Sequence, residues 1–348
     1  MRVGVILHQD RRRTIQEIAA EVRAYEQAGA SSVTLGEAYT FDAVSQIGYL
    51  AACTSTIELA TGVLPLGSRT PTLLGMTAAG LDYVSGGRLR LGVGVSGPAV
   101  MEGFHGAPFG KPLARIRESL EICRQVLRRE RLSHVGPVYR VPYSKEAEVS
   151  DVQALKLIQQ PVRDTVPISI AALGPASVKL AAEIADGWEP YFFHPEMAQK
   201  VWGEALREGS LRRDHDLGAL EVIVRMPALV TDDLEAGLAA AKPHLALYIG
   251  GMGSAHRNYY ADLVGEFGFA SEAAEIQRHF REGRKSEAAK AVPDDLVRGM
   301  SLIGSAGWVR DRIAALGEAG VSLVNIVPIV TPKASRSETV ATFVKLGS

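Results

Sequence analysis

RLRLGVGVSG, residues 88–97, holds the pattern Gly92-Val93-Gly94-Val95-Ser96-Gly97, a GxGxxG of the kind that cradles a dinucleotide pyrophosphate. Such a fingerprint belongs in the turn after a first strand, at the mouth of a helix, with an acidic residue about twenty positions on at the end of the next strand. Two of these conditions fail. The run is the fourth strand-like segment of the chain, and GPAVMEGFHGAPFG follows it, where Pro98, Gly103, Pro108 and Gly110 forbid an immediate long helix. Glu118 lies near the right distance, but within a helix-like stretch.

Along a strand, residues of one parity share a face, so Leu89, Leu91, Val93 and Val95 line one side while Gly92, Gly94 and Ser96 line the other. Glycine weakens a strand unless something must approach its backbone. A flat ligand at the C-terminal end of this strand is one reason for the glycines; close packing against a neighbouring strand is the other, and it is favoured for Gly92.

Outward from this segment, short β-branched runs alternate with amphipathic stretches, the signature of repeated βα units around a parallel sheet. Strands are expected at RVGVIL (2–7), SVTLGE (32–37), IELATGV (57–63), RLRLGVGVS (88–96), VPISIAA (166–172), GWEPY (187–191), EVIVRMPALV (221–230) and LVNIVPIV (323–330). Helices are expected at 14–28, 42–53, 71–83, 113–129, 175–185, 195–208 and 234–247. Thr70-Pro71 and Gly86-Gly87 punctuate the third helix as a cap with proline at its first position and a glycine stop. Eight such runs predict one (β/α)8 TIM barrel over residues 1–348 rather than a six-stranded dinucleotide-binding domain. Residues 248–320 hold more helix than one crossover needs and read as an elaboration at the barrel rim, a lid or extra scaffold.

The chain has 348 residues, 47% hydrophobic and 22% charged, with a net charge of -1. Dispersed basic residues argue against nucleic acid as a partner. The apolar start VGVIL is too short for a signal-peptide core or a membrane span, so a soluble cytoplasmic protein is expected. Cys53 and Cys123 are isolated and read as buried apolar residues. With no HExxH, no GxSxG and no Cys/His cluster, no metal site is expected.

The stretch ELATGVLPLGSRTPTLLGMTAAGLDYVSGGRLRLGVGVSG (58–97), together with ISIAALGPASVKLAAEIADGW (168–188), resembles the bacterial luciferase-like monooxygenase superfamily. The segments YIGGMGSAHRNYY (248–260) and VPDDLVRGMSLIG (292–304) look like its deazaflavin branch, whose members use coenzyme F420 in place of FMN. The resemblance implies a (β/α)8 barrel with the cofactor at the C-terminal ends of the strands, where Ser96 and Gly97 stand after the fourth. It implies a non-prolyl cis peptide at Gly62-Val63 backing the tricyclic ring, and an acidic contact to the ring at Glu37.

A phosphate loop is implied at Gly174, Pro175, Ala176 and Ser177, with Trp188 close by. Its physics is independently sound, because a glycine-proline opening leaves the amides of Ala176 and Ser177 free at the positive end of a helix. His8 and Tyr39, each following a strand, are candidates for moving a proton; Tyr191 and His194 also follow a strand, and Arg225 sits further inside the seventh. Some family enzymes carry a catalytic histidine directly after the second-strand acid, a place taken here by Ala38.

The resulting expectation is a coenzyme F420-dependent oxidoreductase acting on a small organic substrate as a homodimer. The alternatives are an FMN-dependent monooxygenase, a non-catalytic flavin-binding protein and, more remotely, a metal-dependent barrel hydrolase.

Overall fold

The computed structural model describes residues 1–8, 12–143, 153–252, 258–331 and 334–348. Residues 253–257, within one of the two segments that suggest the deazaflavin branch, fall outside them.

The chain opens with three βα units: β1 (Arg2–Ile6) and α1 (Ile15–Gln27), β2 (Ser32–Leu35) and α2 (Ala43–Cys53), then β3 (Glu58–Thr61), a two-residue β4 (Leu64–Pro65) and α3 (Pro71–Ser85). Local chemistry sets the helix ends. Thr14 and Glu17 form a reciprocal capping box on α1, Thr70 caps α3 ahead of Pro71, and Gly86 stops α3 in the left-handed region at φ 68°. β5 (Leu89–Gly94) leads through a one-turn α4 (Pro98–Met101) to α5 (Pro112–Leu127). A small antiparallel hairpin, β6 (His134–Val135) and β7 (Arg140–Val141), follows. Next come β8 (Ile168–Ala171), α6 (Pro175–Ile184), β9 (Gly187–Glu189), α7 (Pro195–Ser210), β10 (Glu221–Val230) and α8 (Leu234–Gly251). Four further helices, α9 (Tyr259–Glu266), α10 (Ala270–Arg281), α11 (Lys285–Lys290) and α12 (Asp294–Gly299), precede β11 (Leu302–Gly304), α13 (Ala306–Glu318), β12 (Val321–Pro328) and α14 (Arg336–Gly347).

Eight parallel strands close into a barrel in the order β1-β2-β3-β5-β8-β9-β10-β12, with β12 returning to β1 and β9 meeting β10. The strands are buried on both faces, as a parallel sheet wrapped in helices requires: every residue of β2 and β5 is buried. Gly92 is a packing residue. A Cβ there would lie 1.9 Å from the Thr61 carbonyl oxygen, and Thr61 Oγ1 both accepts from the Gly92 amide and donates to its carbonyl, at 2.8 and 2.7 Å.

The region after β10 is not wholly helical. β11 lies within it and pairs with β10 at Ala228–Val230. Because β12 pairs with the same residue of β10, Ala228, and with Val222, which β9 also meets, β9 and β11 share one edge of β10 in two tiers.

Candidate cofactor and substrate site at the barrel mouth

At the C-terminal ends of the strands, the peptide between Gly62 and Val63 is cis. Three neighbours hold this turn: the Gly62 amide donates to the Leu35 carbonyl at 2.9 Å, the Glu37 amide donates to the Val63 carbonyl at 3.2 Å, and Arg225 Nη2 donates to the Gly62 carbonyl at 3.1 Å. Around it glycines let the backbone pack closely. A Cβ at Gly36 would sit 3.0 Å from the Gly62 carbonyl, one at Gly94 would meet Val63 Cγ2 at 3.0 Å, and one at Gly97 would meet open space. Ser96, exposed at the end of β5, adopts φ 59°, an uncommon conformation for a residue with a side chain.

Glu37 has both carboxylate oxygens engaged. Arg69 donates to each of them, the Ala43 amide adds a bond of 2.9 Å at the start of α2, and Arg69 reaches on to Asp42 at 2.8 Å. The carboxylate thus ties the loops after β2 and β4 together. Arg69 and Ser45 in turn hold the Asp42 carboxyl below its ordinary range against the opposing effect of burial. His8 is exposed after β1. Tyr39 is 61% exposed and meets Phe104 edge-on.

On the β8 side, α6 begins at Gly174 with no side-chain cap. The sequence led to two outward amides, and the structure corrects this: both the amide and the hydroxyl of Ser177 turn back to the Gly174 carbonyl, at 3.0 and 2.8 Å, leaving the amide of exposed Ala176 open. Trp188 is corrected as well. It is 1% exposed, packs edge-on against Phe193 and Trp202, and donates its indole N–H to the Ala172 carbonyl at 2.9 Å, while Trp202 does the same to Leu173. The two indoles support the loop from beneath and leave no ring face toward its outer side.

The opposite wall carries the ionisable groups. Glu189, at the end of β9, accepts from the Ser169 hydroxyl; burial raises its pKa, while that bond and the charges of Arg225 and Arg90 oppose the rise. Past it, Tyr191 shares a hydrogen bond of 2.5 Å with His244 Nε2, stacks on Tyr248 with centroids 4.4 Å apart, and has the Arg225 guanidinium over its ring at 5.4 Å. Burial raises the Tyr191 phenol well above its ordinary value; burial and the Arg225 charge push His244 down to about 4. His244 nevertheless presents open surface. Tyr260 closes the group, 5.6 Å from Tyr191 and 5.0 Å from Tyr248, with burial foremost among the causes that raise its pKa to about 12.

Tyr191 and Arg225 stood out in the sequence by their strand positions, whereas His244, Tyr248 and Tyr260 did not. The i, i+4 spacing of His244 and Tyr248 on α8 was the available signal, since it places both on one helix face. His194, by contrast, begins α7 with Nδ1 2.9 Å from Glu196 and its ring against Phe267, apart from this wall.

A closed parallel barrel with a side-chain-poor turn, an open helix N-terminus and an ionisable wall at its strand C-terminal ends defines a (β/α)8 protein built to hold a ligand at its mouth. The sequence profile of the luciferase-like monooxygenases matches residues 1–323, and the chain belongs to that family. It is 42% identical over 314 residues, 89% of this chain and 90% of the other, to a Mycobacterium tuberculosis protein whose name assigns it provisionally to the coenzyme F420-dependent oxidoreductases. It is 27% identical over 317 residues, 88% of each chain, to a 5,10-methylenetetrahydromethanopterin reductase of Archaeoglobus fulgidus. The fold matches that of the coenzyme F420-dependent tetrahydromethanopterin reductase from Methanopyrus kandleri with a TM-score of 0.81 at 22% identity, covering 99% of this chain and 97% of that one. Among the described residues, no helix is long and apolar enough to cross a membrane.

Proposed function

We propose that the chain is a coenzyme F420-dependent oxidoreductase that moves a hydride between C5 of the deazaflavin and a small organic substrate, and that it works as a homodimer. The observation that carries this reading is the Gly62-Val63 turn, held by Leu35, Glu37 and Arg225 and packed closely against glycines. The 42% identity to the mycobacterial protein supports it.

The residues present fit the cofactor. A planar ring needs a backbone surface it can approach; Gly36, Gly62 and Gly94 let the chain pack close behind the turn, and Gly97 faces open space. A phosphate needs donors and positive potential, which the uncapped start of α6 and the Ala176 amide offer. When bound, the deazaflavin supplies the hydride carrier. The chain's own part is to back the ring with Gly62 and Val63, flank it with Ser96 and Gly97, and hold the phosphate at Gly174–Ser177 above Trp188. Glu37 serves that site by fixing Arg69 and the start of α2. His8 and Tyr39, at the rim, are assigned to proton exchange with solvent.

Titrating the protein separately with coenzyme F420 and with FMN, and reading the fluorescence of the indoles beneath the α6 loop, tests the proposal. Micromolar or tighter binding of the deazaflavin and weaker binding of FMN is the expected result. A preference for FMN would favour the monooxygenase, and binding of neither would sink the cofactor reading.

A further inference from the structure

We infer that Tyr191, backed by His244, exchanges a proton with a substrate oxygen at the barrel mouth, and that the substrate is therefore an alcohol or the corresponding carbonyl compound. This deepens the hydride-transfer reading and rests on it for the direction of chemistry. The oxygen subsite itself rests on geometry.

Tyr191 is held as few surface tyrosines are. Arg225 lies over its ring, Tyr248 stacks on it with an interplanar angle of 25°, and Tyr260 meets it edge-on. The backbone enforces the arrangement. Phe192 has φ 62°, uncommon for any residue with a side chain and more so for an aromatic one. In an extended strand, consecutive side chains point to opposite faces. The left-handed turn at Phe192 lets Tyr191 and Phe192 both contact Tyr248 and Tyr260, with Phe192 centroids 5.9 and 5.6 Å from those rings. Backbone strain of this sort persists where the surroundings over-determine it, and such places cluster at ligand sites.

A phenol hydroxyl offers one proton and two lone pairs. His244 takes up one of these positions and Tyr248 a second, leaving one with which the hydroxyl can engage a ligand. The charged and titratable groups facing Tyr191 are His244 and Tyr248 from α8, Tyr260 from α9 and Arg225 from β10. The single full charge among them is the Arg225 cation, which favours negative charge on an oxygen placed beside Tyr191. The same cation and burial keep His244 neutral at ordinary pH, so one ring nitrogen carries a proton and the other can receive one.

The step balances as follows. In reduction, a hydride with its electron pair arrives at the carbonyl carbon and the C=O π pair moves onto oxygen. That oxygen takes the Tyr191 proton, Tyr191 Oη takes the proton from His244 Nε2, and Nδ1 takes one from water at the open surface of His244, which leaves hydroxide in the solvent and the ring as its other neutral tautomer. Alcohol oxidation runs the same transfers in reverse. Tyr191 is the catalytic residue, and His244 acts through it.

4-Nitrophenol tests the subsite without coenzyme, because its absorbance distinguishes bound phenol from bound phenolate. The bound probe should ionise about one pH unit or more below its value in free solution, as an oxyanion does beside a cation and a phenol donor. Tyr191→Phe should abolish the shift. His244→Gln, whose amide still hydrogen-bonds Tyr191 Oη, should keep most of it, and His244→Leu should lose it. Failure of the probe to bind, ionisation at the free-solution value, or a shift unchanged in Tyr191→Phe would overturn the inference. The coenzyme titration is independent. A protein that shows the shift but binds no deazaflavin keeps the oxygen subsite and loses the hydride reading; one that binds deazaflavin without the shift loses this inference alone.

Discussion

Glu26 shows how much a single carboxylate can organise away from the mouth. At the end of α1 its Oε1 accepts the amides of Ser55, Thr56 and Ile57 at 2.8, 2.6 and 2.9 Å and the Thr56 hydroxyl at 3.0 Å, fixing the chain just before β3. Burial would raise its pKa, but the converging donors outweigh burial and bring it down to about 2. A depressed carboxyl stabilises the fold fully above its unfolded value and loses that contribution as pH falls toward the folded one. Glu26→Gln should therefore cost about 1 kcal/mol near neutral pH, the ideal linkage value being discounted for solvent screening. In urea unfolding series, the gap between parent and variant should narrow from about pH 4.5 down to about pH 2; a gap independent of pH would mean that the charge on Glu26 contributes nothing. Such residues were hidden in the sequence, because the partners of Glu26 come from another unit. Tyr191 was visible only as a position after a strand and Arg225 as one inside a strand, and their grouping with His244 needed the tertiary fold.

At the level of elements, legibility followed length and burial. The barrel strands are short apolar runs between good stops, and α1, α2 and α3 begin on the caps their sequences advertise. Two-residue strands such as β6 and β7 carry too little pattern to be seen, and the three-residue β11 was lost among helices. The end of α8 was placed at 247, whereas the helix runs to Gly251. Pro243 sits inside it, removing one amide donor, and apolar residues spread around much of its circumference blur its period. The start of α6 gives a test at this scale. Ala176→Asp puts a negative charge where the helix end favours one, so thermal stability should hold or rise slightly, while coenzyme binding should weaken about tenfold if a phosphate competes for that place. Unchanged affinity in a titration would move the phosphate elsewhere.

For the whole molecule, the count of strands predicted the closed barrel, and the comparisons agree with it. The cofactor was less legible, because the surface proposed to hold it is largely backbone, and glycines record only that something comes close. Assembly is a proposal of the same kind. Leu73, Met76, Tyr83 and Val84 stand on α3 with exposures of 46, 49, 71 and 52%, an apolar stripe along a barrel helix. Sedimentation should show a dimer that Met76→Asp converts to a monomer with unaltered helix content; a monomeric parent would refute the homodimer.

The edge of β10 that β9 and β11 share has one more consequence. β9 grips it only at Glu221–Val222 and β11 only at Ala228–Val230, so along that edge Ile223–Pro227 run between the two tiers unpaired, with β12 on their other side. Arg225 stands on one bank of that slot, and Tyr191 continues the chain of the other. The short foot at Glu221–Val222 is the whole of the β9–β10 pairing and so closes the ring, while the β10–β12 ladder on the other edge runs from Val222 to Ala228. The barrel is thus buttoned by two residue pairs beside its ionisable wall, and that clasp is where its girth is set.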